Sequence, residues 1–264
     1  MSVRRWAGTA SNPGCAAVPA PPGDAYTAGM PEPVVALVVA AGTGTRFGGT
    51  VPKPVAPLAG STVIGVSIES LVAGGCGAVV VVVSPAAQHH FIAALASCPV
   101  PLTVVEGGQT RQESVLRGLE AIEAHPELAG TAVVLIHDAV RPLVPADMVE
   151  RVIEAVRGGA PVVTPAIPVV DSLRRMAADG RSSQVDRSDL RAVQTPQGFD
   201  FATVLASHRA AAEAGVVATD DVGVCEAAGH DVSVVDGAAS AFKITHPDDL
   251  ELASALAGLR GAAR

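Results

Sequence analysis

An α/β fold with a doubly wound, mostly parallel sheet is predicted by three features of the sequence. Apolar runs without polar alternation recur at residues 34–41, 78–84 and 131–136, as strands buried on both faces require. Segments with helical signals separate them, and that alternation builds a parallel sheet. Glycine-rich turns follow at 42–49 and 107–108, at the carboxyl ends of strands, where an open α/β sheet binds ligands.

The 264 residues suffice for a large α/β domain, and 49% hydrophobic residues can fill its core. Residues 1–30 stand apart. They are rich in Pro, Gly and Ala, aperiodic, and read as a disordered extension. Arg4 and Arg5 are followed by no continuous apolar stretch, so they do not mark a signal peptide. Met30 is read as the natural start, residues 31–264 as one domain, and removal of 1–29 is expected to leave activity intact.

The strand at 34–41 runs into Gly42-Thr43-Gly44-Thr45-Arg46-Phe47-Gly48-Gly49. Glycine admits a ligand close to the backbone, and successive amides can cradle a phosphate. Arg46 and Lys53 add two cations nearby. This is not a P-loop, because Thr50 stands where that motif needs Lys. Nor is it the dinucleotide fingerprint: Phe47 holds the third glycine position, and Ser84-Pro85 ends the second strand where an acid belongs.

A helix over 62–73 follows, capped by Ser61 or Thr62 and ended by Gly74-Gly75. After the strand at 78–84 comes a helix at 86–97. Its adjacent His89 and His90 point in different directions and make no metal site. A short strand at 102–105 leads to the second glycine turn, Glu106 to Ser114. That turn opens a helix reaching about residue 124, with Val115, Leu119 and Ile122 on one face. Free amides there, with Arg111, offer an anion or base-edge site; an ordinary strand-to-helix turn is the alternative.

The strand at 131–136 ends in His137-Asp138-Ala139-Val140-Arg141-Pro142. Asp138, at the strand tip, is a candidate to hold magnesium directly or through water, to position substrate, or to cap a helix. A helix at 147–157 and a strand at 160–166 follow. Residues 168–192 change texture: Asp179-Gly180 between extended polar flanks signals a hairpin. It is read as an arm that projects and pairs with another subunit, a surface loop being the alternative. Beyond it come a loop at 194–199, a helix at 200–214 ended by Gly215, and a helix capped by Thr219. Strands at 231–235 and 241–245 follow, the second carrying Lys243. A last helix at 246–259 has Pro247 in its first turn.

Formal net charge is −8, and aromatic residues make up 3%. Both weigh against a nucleic-acid surface, so an anionic substrate must meet a local cluster of cations. Cys15, Cys76, Cys98 and Cys225 show no zinc spacing and read as thiols of a reducing compartment, the cytoplasm. No apolar run is long enough for a membrane span.

The first motif, AAGTGTR followed by PKP, resembles the sugar-nucleotide pyrophosphorylase signature. Taken with GGQTRQES, HDAVRP, the VDR of the arm, TPQGF, TDD and FKITHPDDL, the chain resembles the 2-C-methyl-D-erythritol 4-phosphate cytidylyltransferase family over about residues 34–260. The resemblance implies a Rossmann-like sheet of the nucleotide-diphospho-sugar transferase type with a protruding β-hairpin arm. It also implies magnesium, CTP and an alcohol phosphate as substrates, and a homodimer formed through the arm.

Matched position by position, Arg46 and Lys53 would contact the triphosphate and stabilise the transition state. Ala40, Ala41 and Gly42 would line the nucleotide with backbone groups. Gly108, Gln109 and Ser114 fall where cytosine is read, with Arg111 beside them. Asp138 and Arg141 would lie near the ribose and substrate. Ser172, Arg187, Thr219 and Lys243 match positions that hold the methylerythritol phosphate or the nucleotide phosphates, Arg187 coming from the partner's arm. Ser172 replaces an expected Thr but keeps the hydroxyl, and Val170 replaces a common basic residue. A ribitol 5-phosphate cytidylyltransferase, another nucleotidyltransferase and a nucleotide-binding regulatory module are the competing expectations.

Overall fold

A computed structural model describes residues 33–42, 52–128 and 130–262. The predicted N-terminal extension and the turn at 43–51, which includes Arg46, lie outside the described residues.

The first strand, β1 (Val34–Ala40), sends alternate side chains to opposite faces. Ala36, Val38 and Ala40 join one apolar cluster, and Val35 and Leu37 join the other. A short ribbon, β2 (Pro57–Leu58) with β3 (Ser61–Thr62), leads into α1 (Val63–Ala73). Thr62 caps that helix by accepting from Gly65 N. Then follow β4 (Ala78–Val83), α2 (Gln88–Leu95) and β5 (Leu102–Glu106). The next elements are α3 (Arg111–Ala124), β6 (Val133–Asp138), α4 (Ala146–Arg157) and β7 (Val162–Pro168). Helices α1, α2 and α4 contribute Ile64, Phe91 and Met148 to the first cluster; α3 contributes Val115, Leu119 and Ile122 to the second. With layers on both sides, the sheet is doubly wound.

The predicted hairpin is present: β8 (Leu173–Met176) pairs antiparallel with β9 (Ser182–Val185), and Gly180 has φ +82°. Nearly all of this arm is exposed. After it, β10 (Arg191–Val193) and β11 (Gln197–Asp200) both run antiparallel to β7. The chain finishes with α5 (Phe201–Ala214), α6 (Asp221–Ala227), β12 (Ser233–Asp236) and α7 (Pro247–Ala262). Strand order in the main sheet is β10-β7-β11-β6-β1-β4-β5, with β12 parallel on β7. A third cluster under α7, with Leu58, Val63, Leu143 and Ile244, closes one side of the strand tips.

Three sequence expectations are corrected. Residues 194–199 are a loop only as far as Pro196, since Gln197–Asp200 is a strand inserted between β6 and β7. Gly198 fits there because Val152 of α4 packs where a Cβ would stand, 2.4 Å from its ideal position. Residues 241–245 are not a strand. A 3-10 turn at Ala239–Ala241 leads into irregular chain, and Ile244 N donates to Val140 O at 2.9 Å. Helix α6 is capped by Asp220, whose carboxylate accepts from Gly223 N at 3.0 Å, and Thr219 stands outside it.

Candidate functional site

Parallel strands β1, β4, β5 and β6 end on one edge, and residues at and beyond the tips of β1, β5 and β6 line a cleft of about 400 Å³. That volume suits a nucleotide-sized ligand. Its walls include Ala40, Ala41, Gly42, Lys53, Gly108, Gln109, Arg111, Ser114, Asp138 and Lys243. Ten predicted site residues from five separate stretches thus meet in one place. Arg141 stands behind Asp138 and does not line the cleft. Ser172 and Arg187 lie on the exposed arm, and Thr219 is exposed ahead of α6. Arg187 bonds the carbonyl of Val170 in its own chain.

The second glycine turn is held by its own helix. Thr110 caps α3, accepting from Glu113 N at 3.0 Å, while Glu113 Oε2 accepts from Gln109 N at 2.7 Å. Ser114 Oγ accepts from Gly108 N at 3.0 Å and donates to Thr110 O at 2.8 Å. The Ser114 hydroxyl therefore fixes the shape of the turn. Arg117 donates to Gly107 O at 2.8 Å from the turn's other side. At Gly107 a Cβ would stand 2.6 Å from that of Ala41, so the second glycine turn packs closely against the end of β1.

Asp138, at the tip of β6, is the centre of charge. Its Oδ2 lies 3.0 Å from Lys243 Nζ and 3.5 Å from Arg141 Nε; its Oδ1 lies 3.5 Å from Arg111 Nε. Burial alone would raise its pKa, but Lys243, Arg111 and Arg141 outweigh burial and hold it well below the usual carboxylate range. Lys53 extends from a 3-10 turn to the carbonyls of Ile244, at 2.9 Å, and Thr245, at 3.3 Å. Those carbonyls flank the loop that carries Lys243, so one irregular segment positions both ammonium groups.

Beneath Asp138, His137 is fully buried. Its Nε2 lies 3.0 Å from Ser67 Oγ and its Nδ1 3.0 Å from Thr195 Oγ1; Thr195 also accepts from Asp138 N at 3.1 Å. Burial lowers the imidazole pKa to about 4, so the ring is neutral near pH 7 and props the strand tip through hydrogen bonds. Asp221 is a carboxylate of this neighbourhood that the sequence-based set lacks. It is 1% exposed, and its Oδ2 accepts from Arg111 at 2.7 Å. Nothing in their spacing signals that pair, since 110 residues separate the partners.

Among the described residues no group of three or more His, Cys, Asp or Glu gathers as a metal site. Asp138 is nevertheless ionised and faces the cleft. That arrangement fits a magnesium ion held mainly by a nucleotide's phosphates and one carboxylate. No helix among the described residues is long and apolar enough to cross a membrane.

Comparison with known proteins agrees with this geometry. The family model described as IspD, 2-C-methyl-D-erythritol 4-phosphate cytidylyltransferase, matches residues 34–258. The chain is 40% identical over 242 residues to the Streptomyces coelicolor protein of that name, covering 87% of each chain. It is 42% identical over 225 residues to the Saccharopolyspora erythraea protein of the same name, covering 84% of this chain and 98% of that one. The crystal structure of the Thermus thermophilus protein of that name superposes with a TM-score of 0.71 at 35% identity, covering 86% of this chain and 99% of that one.

Proposed function

The chain belongs to the 2-C-methyl-D-erythritol 4-phosphate cytidylyltransferase family, and from that premise we propose how its strand-tip cleft transfers CMP from CTP to 2-C-methyl-D-erythritol 4-phosphate. The products are 4-diphosphocytidyl-2-C-methyl-D-erythritol and pyrophosphate. The observation that carries this reading is the gathering of Lys53, Arg111, Asp138 and Lys243 around one cleft walled by Gly42 and the second glycine turn.

A phosphate monoester is largely dianionic near neutral pH, its second pKa being about 6. Its oxygen therefore needs no general base. That oxygen bonds to the α-phosphorus of CTP as the bond from this phosphorus to the bridging oxygen breaks, and pyrophosphate leaves with the electron pair. Repulsion between the two anions is the obstacle. Lys53 and Lys243 oppose it with fixed charge, and the amides of the second glycine turn add dipoles that need no rearrangement during reaction. Arg46, in the same motif as Lys53, is proposed to join this clamp. The Gly108–Ser114 turn, with its shape set by Thr110 and Glu113, is proposed to face the cytosine.

Magnesium is the proposed cofactor, with Asp138 its protein ligand directly or through water; when bound it supplies charge to the phosphate oxygens. We further propose a cytoplasmic homodimer formed through the arm. Support comes from the arm's exposed apolar side chains, Val170 at 80% and Met176 at 65% exposure, which a partner would cover. In that assembly Arg187 reaches the neighbouring cleft, and Ser172 and Thr219 hold the acceptor's phosphate, while Arg141 supports Asp138 from behind.

The test is pyrophosphate release with magnesium, CTP or UTP, and either 2-C-methyl-D-erythritol 4-phosphate or ribitol 5-phosphate. Turnover with CTP and the methylerythritol substrate is expected. Preference for ribitol 5-phosphate, or for UTP, would overturn the assignment.

A further inference from the structure

Arg111 is the cation of the cleft that two carboxylates share. Its Nη2 lies 2.7 Å from Asp221 Oδ2 and its Nε 3.5 Å from Asp138 Oδ1. Asp138 belongs to the cleft wall, whereas Asp221 does not line it and touches it through Arg111. Asp221 is itself firmly seated. Its helix is capped by Asp220, and Gln197 of β11 clamps that turn, donating to Asp220 Oδ2 at 2.8 Å and accepting from Val222 N at 3.3 Å. On its far side, Asp221 Oδ1 faces His208 Nε2 at 3.4 Å, and His208 is fully buried. A buried carboxylate is retained only with a charged partner, and the guanidinium of Arg111 is that partner.

We propose that Asp221 is a positioning residue for nucleotide binding, one that holds the Arg111 guanidinium by Nη2 and limits its approach to Asp138 to the single 3.5 Å contact, so that the guanidinium meets the nucleotide and the Asp138 carboxylate stays available to Lys243 and the proposed metal. The inference rests on the cytidylyltransferase reading and deepens it. Without the Asp221 charge, Arg111 has one carboxylate left. It would close on Asp138, cancel the charge there and draw back from the cytosine turn at its own helix terminus. Preorganisation of this kind raises affinity because a long side chain is ordered before the ligand arrives.

The experiment is a double-mutant cycle read by CTP titration calorimetry and by steady-state turnover, in wild type, Asp221→Asn, Arg111→Ala and the double variant. Asn keeps the volume of Asp and removes its charge. Asp221→Asn is expected to weaken CTP binding and raise its KM roughly ten- to a hundred-fold, the range seen for residues that orient a metal's ligands, while kcat falls much less. The double variant is expected to bind no more weakly than Arg111→Ala alone. Unchanged CTP affinity in Asp221→Asn, or losses that multiply in the double variant, would overturn the proposal.

If Asp221→Asn does not fold, wild type still decides. Its Arg111 guanidinium protons, assigned by their disappearance in Arg111→Ala, are expected to exchange slowly in nitrogen-15 NMR of the ligand-free protein; fast exchange would overturn the proposal. A wild type that binds CTP but transfers nothing to the methylerythritol substrate refutes the assigned reaction and leaves this affinity test standing. A wild type that does not bind CTP overturns both.

Discussion

Lys243 Nζ stands 3.0 Å from Asp138 Oδ2, joining a loop near the C-terminus to the tip of a central strand 105 residues earlier. The Lys243 side chain is 45% exposed and that of Asp138 only 11%, so the pair has a wet end and a dry end. Its exposure makes the bridge a weak source of stability. Its position makes the ammonium a source of charge where two phosphates must meet.

Lys243→Met should therefore separate function from folding. Turnover is expected to fall on the order of 10²–10³-fold, as on losing one preorganised electrostatic group, with the thermal midpoint nearly unchanged. Pyrophosphate release and differential scanning fluorimetry on one preparation check both halves.

Lys53→Ala is expected to cost a similar factor, on the order of 10²–10³ in turnover. The side chain also bonds the carbonyls of Ile244 and Thr245, so its loss loosens the segment that carries Lys243. The effects of Lys53→Ala and Lys243→Met should consequently not multiply in the double variant. Arg46→Ala is expected to match Lys53→Ala in turnover with the fold retained, checked by circular dichroism.

His137 makes stability depend on pH. Burial depresses its pKa from 6.5 to about 4. Between those values the unfolded chain binds the proton and the folded chain does not, so stability rises with pH across the window. The contribution is complete above about 6.5 and is lost as pH falls toward about 4, on the order of 3 kcal/mol in all. Asp138 and Asp221, both held below the ordinary carboxylate range against the opposing effect of burial, add a loss of the same sign at lower pH. Urea midpoints at about pH 7 and about pH 4.5 should differ more in wild type than in His137→Gln.

A shared site predicts rescue. Lys53→Ala and Arg187→Ala proteins, each weakly active alone, are expected to regain activity when their subunits exchange, because one cleft of the mixed dimer then has both residues. Exchange verified by native mass spectrometry with no gain in turnover would remove Arg187 from the neighbouring cleft.

The central strands were readable from the sequence because burial on both faces leaves no polar residue in 34–40 or 78–83. Strand β11 was not. Gln197-Gly198-Phe199-Asp200 has no regular alternation, follows a proline, and owes its place to packing between β6 and β7. Residues 241–245 erred in the other direction, since an apolar–Lys–apolar pattern imitates a strand. There Ile244 N donates to Val140 O and Ile244 O accepts from Lys53, so the backbone groups serve the site. Most of the cleft was legible because glycine turns and cations cluster locally in the chain. The hold of Asp221 on Arg111 was not, because α6 reaches α3 only through the tertiary fold.

The most direct measurement is a crystal structure with CTP and magnesium bound. The expected density places the triphosphate within hydrogen-bond reach of Lys53, the metal beside Asp138, and the cytosine against the 108–114 turn. A nucleotide seated elsewhere, with Lys53 and Asp138 remote from its phosphates, would contradict the proposed chemistry of the cleft.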